Sequence, residues 1–185
     1  MLNLAIILGS TRPTRVGASV ADWVYDQARK REGAKYELID LIDYNLPLLD
    51  EPNPPSMGNY TKDHTKTWSN KVSSFDGFIF VSPEYNHSTS GALKNAIDFL
   101  YKEWNNKAAG FVAYGGTGGV RAVESLRLIC AELQIATVRN QLSLLLREDF
   151  KDFTQFTPRE HQLKQLNNML DQLEIWAEAL RRIRL

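Results

Sequence analysis

Three stretches carry residue types suited to holding a charged, flat ligand: Gly9-Ser-Thr-Arg-Pro-Thr-Arg-Val-Gly17, Ser82-Pro-Glu-Tyr-Asn-His-Ser-Thr-Ser-Gly91 and Tyr114-Gly-Gly-Thr-Gly-Gly119. The first offers the hydroxyls of Ser10, Thr11 and Thr14 and the guanidinium groups of Arg12 and Arg15, directly ahead of a segment with helical patterning. N–H groups at a helix start carry partial positive charge, and arginine binds phosphate oxygens through two parallel hydrogen bonds, so this stretch reads as an anion site. It lacks both G-x-x-x-x-G-K-[ST] and G-x-G-x-x-G, which removes the P-loop and dinucleotide fingerprints. A plain solvated turn is the alternative.

In the second stretch Tyr85 supplies an aromatic face and Asn86 both a donor and an acceptor, as a flat heterocycle would require. A proline-initiated turn with Asn86 in a left-handed conformation explains the same residues equally well. His87 reads as an exposed residue before a helix rather than as a catalytic one. The third stretch has four glycines in five residues after Tyr114. Backbone without side chains lets a ligand approach closely and leaves N–H groups to bond ring carbonyls or nitrogens, although a merely flexible loop would look similar. Together, a phosphate cradle and two ring-binding loops describe a mononucleotide with a large planar base.

The elements needed to position these loops are visible as an alternation of apolar runs and amphipathic segments, the pattern of an α/β domain with a parallel sheet. Leu2–Leu8, Gly77–Val81 and Ala108–Tyr114 are nearly continuous apolar runs, as expected of central strands covered on both faces. Lys35–Leu41 and Ile135–Leu142 mix polar and apolar positions and belong at the edges. Helices are expected over Val16–Arg31, Tyr60–Phe75, Gly91–Lys102, Val120–Leu133 and Pro158–Arg182. Thr157-Pro-Arg-Glu160 reads as a capping box with proline at the first helical position. Five strands without a sixth near the C-terminus give the order 2-1-3-4-5, and that order places the ligand beyond the carboxyl ends of strands one, three and four. Those ends are where the three stretches fall. The longer connections, Asp43–Asn59 and Arg147–Thr157, are candidates for lining a substrate pocket.

A length of 185 residues, 43% hydrophobic and 24% charged, fits a single domain over residues 1–185. Lysine plus arginine and aspartate plus glutamate balance at 22 each, so no global field draws in nucleic acid or an anionic membrane. No run is long enough to span a bilayer and the N-terminus does not resemble a signal peptide, so a cytoplasmic location is expected. Cys130 is the sole cysteine, which leaves no internal disulfide and no cysteine-based metal cluster, and no metal site is expected. It shares a helical face with Val123, Leu126 and Leu133, the setting of a buried structural thiol.

At the three loops the sequence resembles the NADPH-dependent FMN reductase family, whose members include quinone, azo-dye and chromate reductases. The likeness runs from Leu4 to Leu142 and is strongest at Gly9-Ser-x-Arg12, at Pro83-Glu-Tyr-Asn-x-Ser88 with Gly91-Ala-Leu-Lys-Asn-Ala-Ile-Asp98, and at Tyr114-Gly-Gly-x-Gly-Gly-Val-Arg-Ala122. The chain departs from the family pattern at Arg15 and Gly17, where many members have Ser and Asn, and at Ser90, where they have Pro. The resemblance implies a flavodoxin-like three-layer sandwich. It also implies that Ser10, Arg12, Arg15, Val16 and Gly17 hold the FMN phosphate, and that Pro83, Glu84, Tyr85, Asn86, Tyr114, Gly115 and Gly116 surround the isoalloxazine. Ser88 and Gly119 border that pocket. A homodimer or homotetramer is implied as well, with Tyr101 and Trp104 open to reading as interface or as core.

The chemistry so implied is hydride transfer from NADPH or NADH to N5 of bound FMN and then to a small acceptor in the same place, with ping-pong kinetics and no catalytic side chain. An FMN-bearing electron carrier or redox sensor that does not itself oxidise NAD(P)H is the competing reading. Electron-carrying flavodoxins are typically acidic, whereas this chain is neutral and has two arginines in its first loop. A low-molecular-weight phosphatase would need Cys-x5-Arg after the first strand, and Cys130 is misplaced, with Ala136 six residues later. A phospho-receiver would need Asp where the chain has Ser82-Pro83.

Overall fold

The computed structural model describes residues 1–184. Five strands, β1 (Leu2–Leu8), β2 (Ala34–Asp40), β3 (Gly77–Pro83), β4 (Lys107–Gly115) and β5 (Ile135–Leu145), pair in the order β2-β1-β3-β4-β5. Every pairing is parallel. This is the expected flavodoxin-like arrangement, and it puts the crevice at the carboxyl ends of β1 and β3, where the strand order reverses.

Successive side chains of a strand face opposite sides, so a strand covered on both faces must be apolar throughout. In β1, Leu4, Ile6 and Leu8 enter one core with residues of α1 (Gly17–Ala28) and α6 (Glu160–Arg184). Ala5 and Ile7 enter a second core with residues of α2 (Asp63–Ser73), α3 (Gly91–Asp98) and α4 (Val120–Glu132). β3 and β4 are buried at every position, while β2 and β5 are half-buried at several, as edge strands should be. The second core is strongly aromatic. Trp68 donates its indole N–H to the Ala96 carbonyl at 2.8 Å and Trp104 to the Ile97 carbonyl at 3.1 Å, which satisfies both buried donors. Trp104 is fully buried and therefore core; Tyr101 is half-buried.

Helix α3 stops at Asp98, shorter than its apolar pattern implied, and a short 3-10 turn over Lys102–Trp104 carries Trp104 inward. Between β5 and α6 the sequence offered only a loop. The structure has a short helix α5 (Leu146–Asp149) and a hairpin of β6 (Phe150–Lys151) and β7 (Gln155–Phe156), outside the main sheet. The capping box at Thr157 does not form. Asp149 is buried, ion-pairs with Arg159 and accepts the Leu145 N–H at 2.6 Å, while its carbonyl accepts the Thr157 N–H at 2.8 Å. That network holds Thr157 back, and Gln162 instead accepts the Arg159 N–H at 2.8 Å as α6 begins at Glu160. Among the described residues no helix is long and apolar enough to cross a membrane.

Two buried groups far from the carboxyl ends give testable consequences. Lys107 at the start of β4 donates to the Val72 carbonyl at 2.9 Å, and burial, reinforced by Arg184, pushes its pKa down to about 8 from 10.5. Between these values the unfolded chain holds the proton that the folded chain has released, so this group's contribution to stability rises with pH across that window. The stability of the wild type relative to Lys107→Met is therefore expected to improve from about pH 7.5 to about pH 10 in denaturant melts, other titrations cancelling in the comparison. Cys130 lies fully buried on α4, and burial pushes its thiol up to about 12. The native protein at pH 8 is expected to give no reaction with DTNB on the minute timescale, and the unfolded chain to give one thiol.

Candidate functional site

The loop after β1 is held from beneath. The Gly9 N–H donates to the Val81 carbonyl at 2.9 Å, and the Ser90 hydroxyl donates to the Gly9 carbonyl while accepting the Leu93 N–H at 3.1 Å. Ser90 thus caps α3 and ties the loop after β1 to the loop after β3. Helix α1 opens on Gly17 with no side chain capping its first turn, so the amide groups there retain their pull on an anion. Arg12 donates to the Thr14 hydroxyl at 2.7 Å, a neutral partner, whereas Arg15 is largely buried against Asp40 at the end of β2 and ion-paired with it.

In the loop after β3, Tyr85 and Ser88 exchange backbone hydrogen bonds of 2.9 and 3.0 Å around Asn86 (φ 49°) and His87 (φ 66°). The left-handed Asn86 is the turn role the sequence allowed for. Ser10, itself buried, lies 3.3 Å from the Tyr85 hydroxyl, and Ser88 bonds Ser125 of α4 at 2.9 Å. Glu84 has a side chain only 5% exposed and is met by Arg121, whose Nε donates at 2.6 Å and whose backbone N–H donates at 3.1 Å. Burial alone would raise its pKa, but these bonds and the Ala122 N–H hold the carboxyl below its ordinary range. Arg121 also reaches Thr117 at 2.7 Å and His87 at 3.0 Å, so one guanidinium fastens the loop after β3 to the glycine loop after β4.

The glycine loop has a reason for its composition at Gly119. This residue has φ 72°, and a Cβ there would lie 2.6 Å from Ala113 Cβ and 2.7 Å from the Tyr114 nitrogen. It precedes α4 without a side-chain cap, and Glu84 supplies the missing acceptor at that helix start. Tyr114 is buried, with its hydroxyl where a Cβ on Gly17 would fall, and burial pushes that hydroxyl well above its ordinary pKa.

These loops enclose one open cleft lined by Arg12, Val16, Pro83, Glu84, Tyr85, Tyr114, Gly115 and Gly116. Of the other residues singled out in the sequence, Ser10, Arg15, Gly17, Asn86, Ser88 and Gly119 lie on the same three loops but outside this lining, and Asn86 is exposed to solvent. Leu146 and Phe153 complete the lining; Phe153 falls within the Arg147–Thr157 connection expected to line a pocket, whereas Leu146, one residue before it, was not singled out. Arg121 was quoted only as part of a motif; its position just after the glycine loop was the available signal. The cleft joins a cationic, amide-rich end to an aromatic, backbone-rich end, which suits a phosphorylated molecule with a planar ring. Of the titratable groups in its wall, Arg121 holds the Glu84 carboxyl below its ordinary pKa and burial holds the Tyr114 hydroxyl above its own.

Comparison with known proteins bears on what that molecule is. The sequence profile of the NADPH-dependent FMN reductase family matches residues 2–146. An NAD(P)H-dependent FMN reductase of Schizosaccharomyces pombe is 38% identical over 149 residues, covering 80% of this chain and 74% of that protein. One from Nectria sp. is 43% identical over 139 residues, covering 70% and 69%. Among solved structures, the flavoenzyme NAD(P)H:(acceptor) oxidoreductase FerB of Paracoccus denitrificans superposes with a TM-score of 0.75 at 20% identity, over 97% of this chain and 98% of that one.

Proposed function

The chain belongs to the NADPH-dependent FMN reductase family and is an oxidoreductase of that type, and from this premise we propose that its cleft binds FMN, admits NAD(P)H and serves a small electron acceptor in turn. The observation that carries the reading is the single cleft in which Arg12 beside the uncapped start of α1 faces the same space as Tyr85, Tyr114 and the Gly115–Gly116 backbone. When bound there, FMN would supply hydride chemistry between NAD(P)H and a small acceptor, a quinone, azo compound, metal oxyanion or free flavin.

The residues divide that task simply. Arg12 and the amides of residues 16 and 17 take the phosphate, Ser10 and Arg15 fix the loop that presents them, and Gly17 leaves room for the Tyr114 hydroxyl. Pro83, Glu84 and Tyr85 form one wall of the ring site, with Asn86 turning the chain beyond them, and Tyr114, Gly115 and Gly116 form the other. The N–H groups at Gly115 and Gly116 offer hydrogen bonds where negative charge develops. Ser88 and Gly119 keep the two walls in register with α4. Arg121 keeps Glu84 ionised and its oxygens turned to α4, so no proton is donated from that side.

Because donor and acceptor use one cleft, initial-rate plots against NADPH at several fixed menadione concentrations are expected to run parallel. Intersecting lines would mean that both substrates are held at once and would contradict the shared site. NADPH is the favoured donor on family grounds. The assembled protein is a homodimer or homotetramer, a reading supported by exposed Ile42, Leu48, Leu49 and Met57 on one connection.

A further inference from the structure

The hairpin tip offers an aromatic side chain where backbone chemistry asks for glycine. Asp152 (φ 51°) and Phe153 (φ 57°) are consecutive left-handed residues, closed by the Thr154 N–H donating to the Lys151 carbonyl at 3.0 Å. Asp tolerates that conformation; Phe does not, and Gly or Asn is the residue such turns favour. Strain of this kind persists only when the surroundings enforce it. Here they do. Phe150 and Phe156 are buried and pack with their rings tilted at 5.4 Å, Phe156 meets Trp23 at 5.3 Å, and Phe150 meets Tyr114 at 6.1 Å. Asp149 secures both ends of the hairpin through Leu145, Thr157 and Arg159. Phe153 is nevertheless 60% exposed, so its own burial does not offset the strain. It lines the cleft together with Tyr85, Tyr114 and Gly116.

We propose that Phe153 is a specificity-determining residue: a rigidly presented ring at the cleft rim that packs against planar aromatic acceptors and favours them over small inorganic ones. The inference rests on the reductase reading and adds to it a residue that selects the acceptor. An aromatic contact of this kind discriminates by shape and adds no chemistry to the transfer itself.

The test uses the FMN-loaded protein with Phe153→Gly and Phe153→Tyr. Glycine fits the positive φ, so the melting temperature of Phe153→Gly is expected within about 2 °C of the wild type or above it. Its kcat/KM ratio for menadione over ferricyanide is expected to fall about fivefold, and menadione binding to the oxidised protein, measured by equilibrium dialysis without NADPH, to weaken about as much. Phe153→Tyr keeps the ring and is expected to keep both values within about twofold of the wild type. An unchanged ratio with unchanged menadione binding would overturn the proposal. Loss of FMN affinity at a constant ratio would overturn it too, by placing the ring against the cofactor. Failure of the wild type to oxidise NADPH would instead remove the reductase reading, while the dialysis result would still decide whether Phe153 contacts planar compounds.

Discussion

Arg12→Ala protein is expected to bind FMN roughly 10- to 100-fold more weakly while its affinity for riboflavin stays within about twofold, because only the phosphate is lost between the two ligands and charge-assisted bonds to it are strong. The two arginines of the loop should behave differently. Arg12 lines the cleft and donates to a hydroxyl alone, so removing it strands no carboxylate. Arg15 is paired with Asp40, so Arg15→Ala leaves a partly buried carboxylate without its partner and should lower the melting temperature as well as FMN affinity. Titrations of flavin fluorescence with FMN and riboflavin measure the first contrast. Equal weakening of both flavins by Arg12→Ala would mean that the guanidinium does not meet the phosphate.

Gly119→Ala is expected to destabilise the fold by about 2–5 kcal/mol, combining the cost of a left-handed alanine with steric overlap against backbone. The added methyl would come within 2.6–2.8 Å of atoms of Ala113 and Tyr114, which belong to the central strand β4 and have nowhere to move. For a chain of this size the melting temperature should drop by on the order of 10 °C. Gly116 is the internal control. A Cβ there meets nothing within 4 Å, so Gly116→Ala should alter stability by no more than about 0.5 kcal/mol and reveal any effect on ring binding by itself. A Gly119→Ala protein as stable as the wild type would show that the loop has a conformation without the positive φ.

The sheet was legible because parallel strands covered on both faces leave little room for ambiguity: Leu2–Leu8 is predicted to the residue, and the order follows from there being five strands. The three loops were legible for the same topological reason, since a parallel sheet collects its binding loops at one end. What escaped depended on distant partners. Phe150-Lys-Asp-Phe-Thr-Gln-Phe156 has no glycine or asparagine to announce a hairpin, and the turn forms because Phe150 and Phe156 find Trp23 and Tyr114 across the fold. The unused capping box has the same origin: the buried Asp149 carboxylate pairs with the half-exposed Arg159 and ties down the chain entering α6, a contact that local spacing does not encode. Arg121 and Glu84, 37 positions apart, are joined only once β3 and β4 lie side by side.

Ser90 illustrates how a departure from the family pattern can be neutral to the fold. Its hydroxyl caps α3 and holds the Gly9 carbonyl, two hydrogen bonds that proline could not make, while the loops after β1 and β3 also meet independently at Ser10 and Tyr85. The helix start is kept by a side-chain acceptor where proline would keep it by a fixed φ.

The most direct test of the central claim is the anaerobic visible spectrum of the purified protein reconstituted with FMN, recorded before and after addition of NADPH. A protein-bound flavin spectrum is expected that bleaches promptly when NADPH is added and recovers on addition of menadione. A bound spectrum that NADPH leaves unchanged, or no bound flavin at all, would contradict that claim.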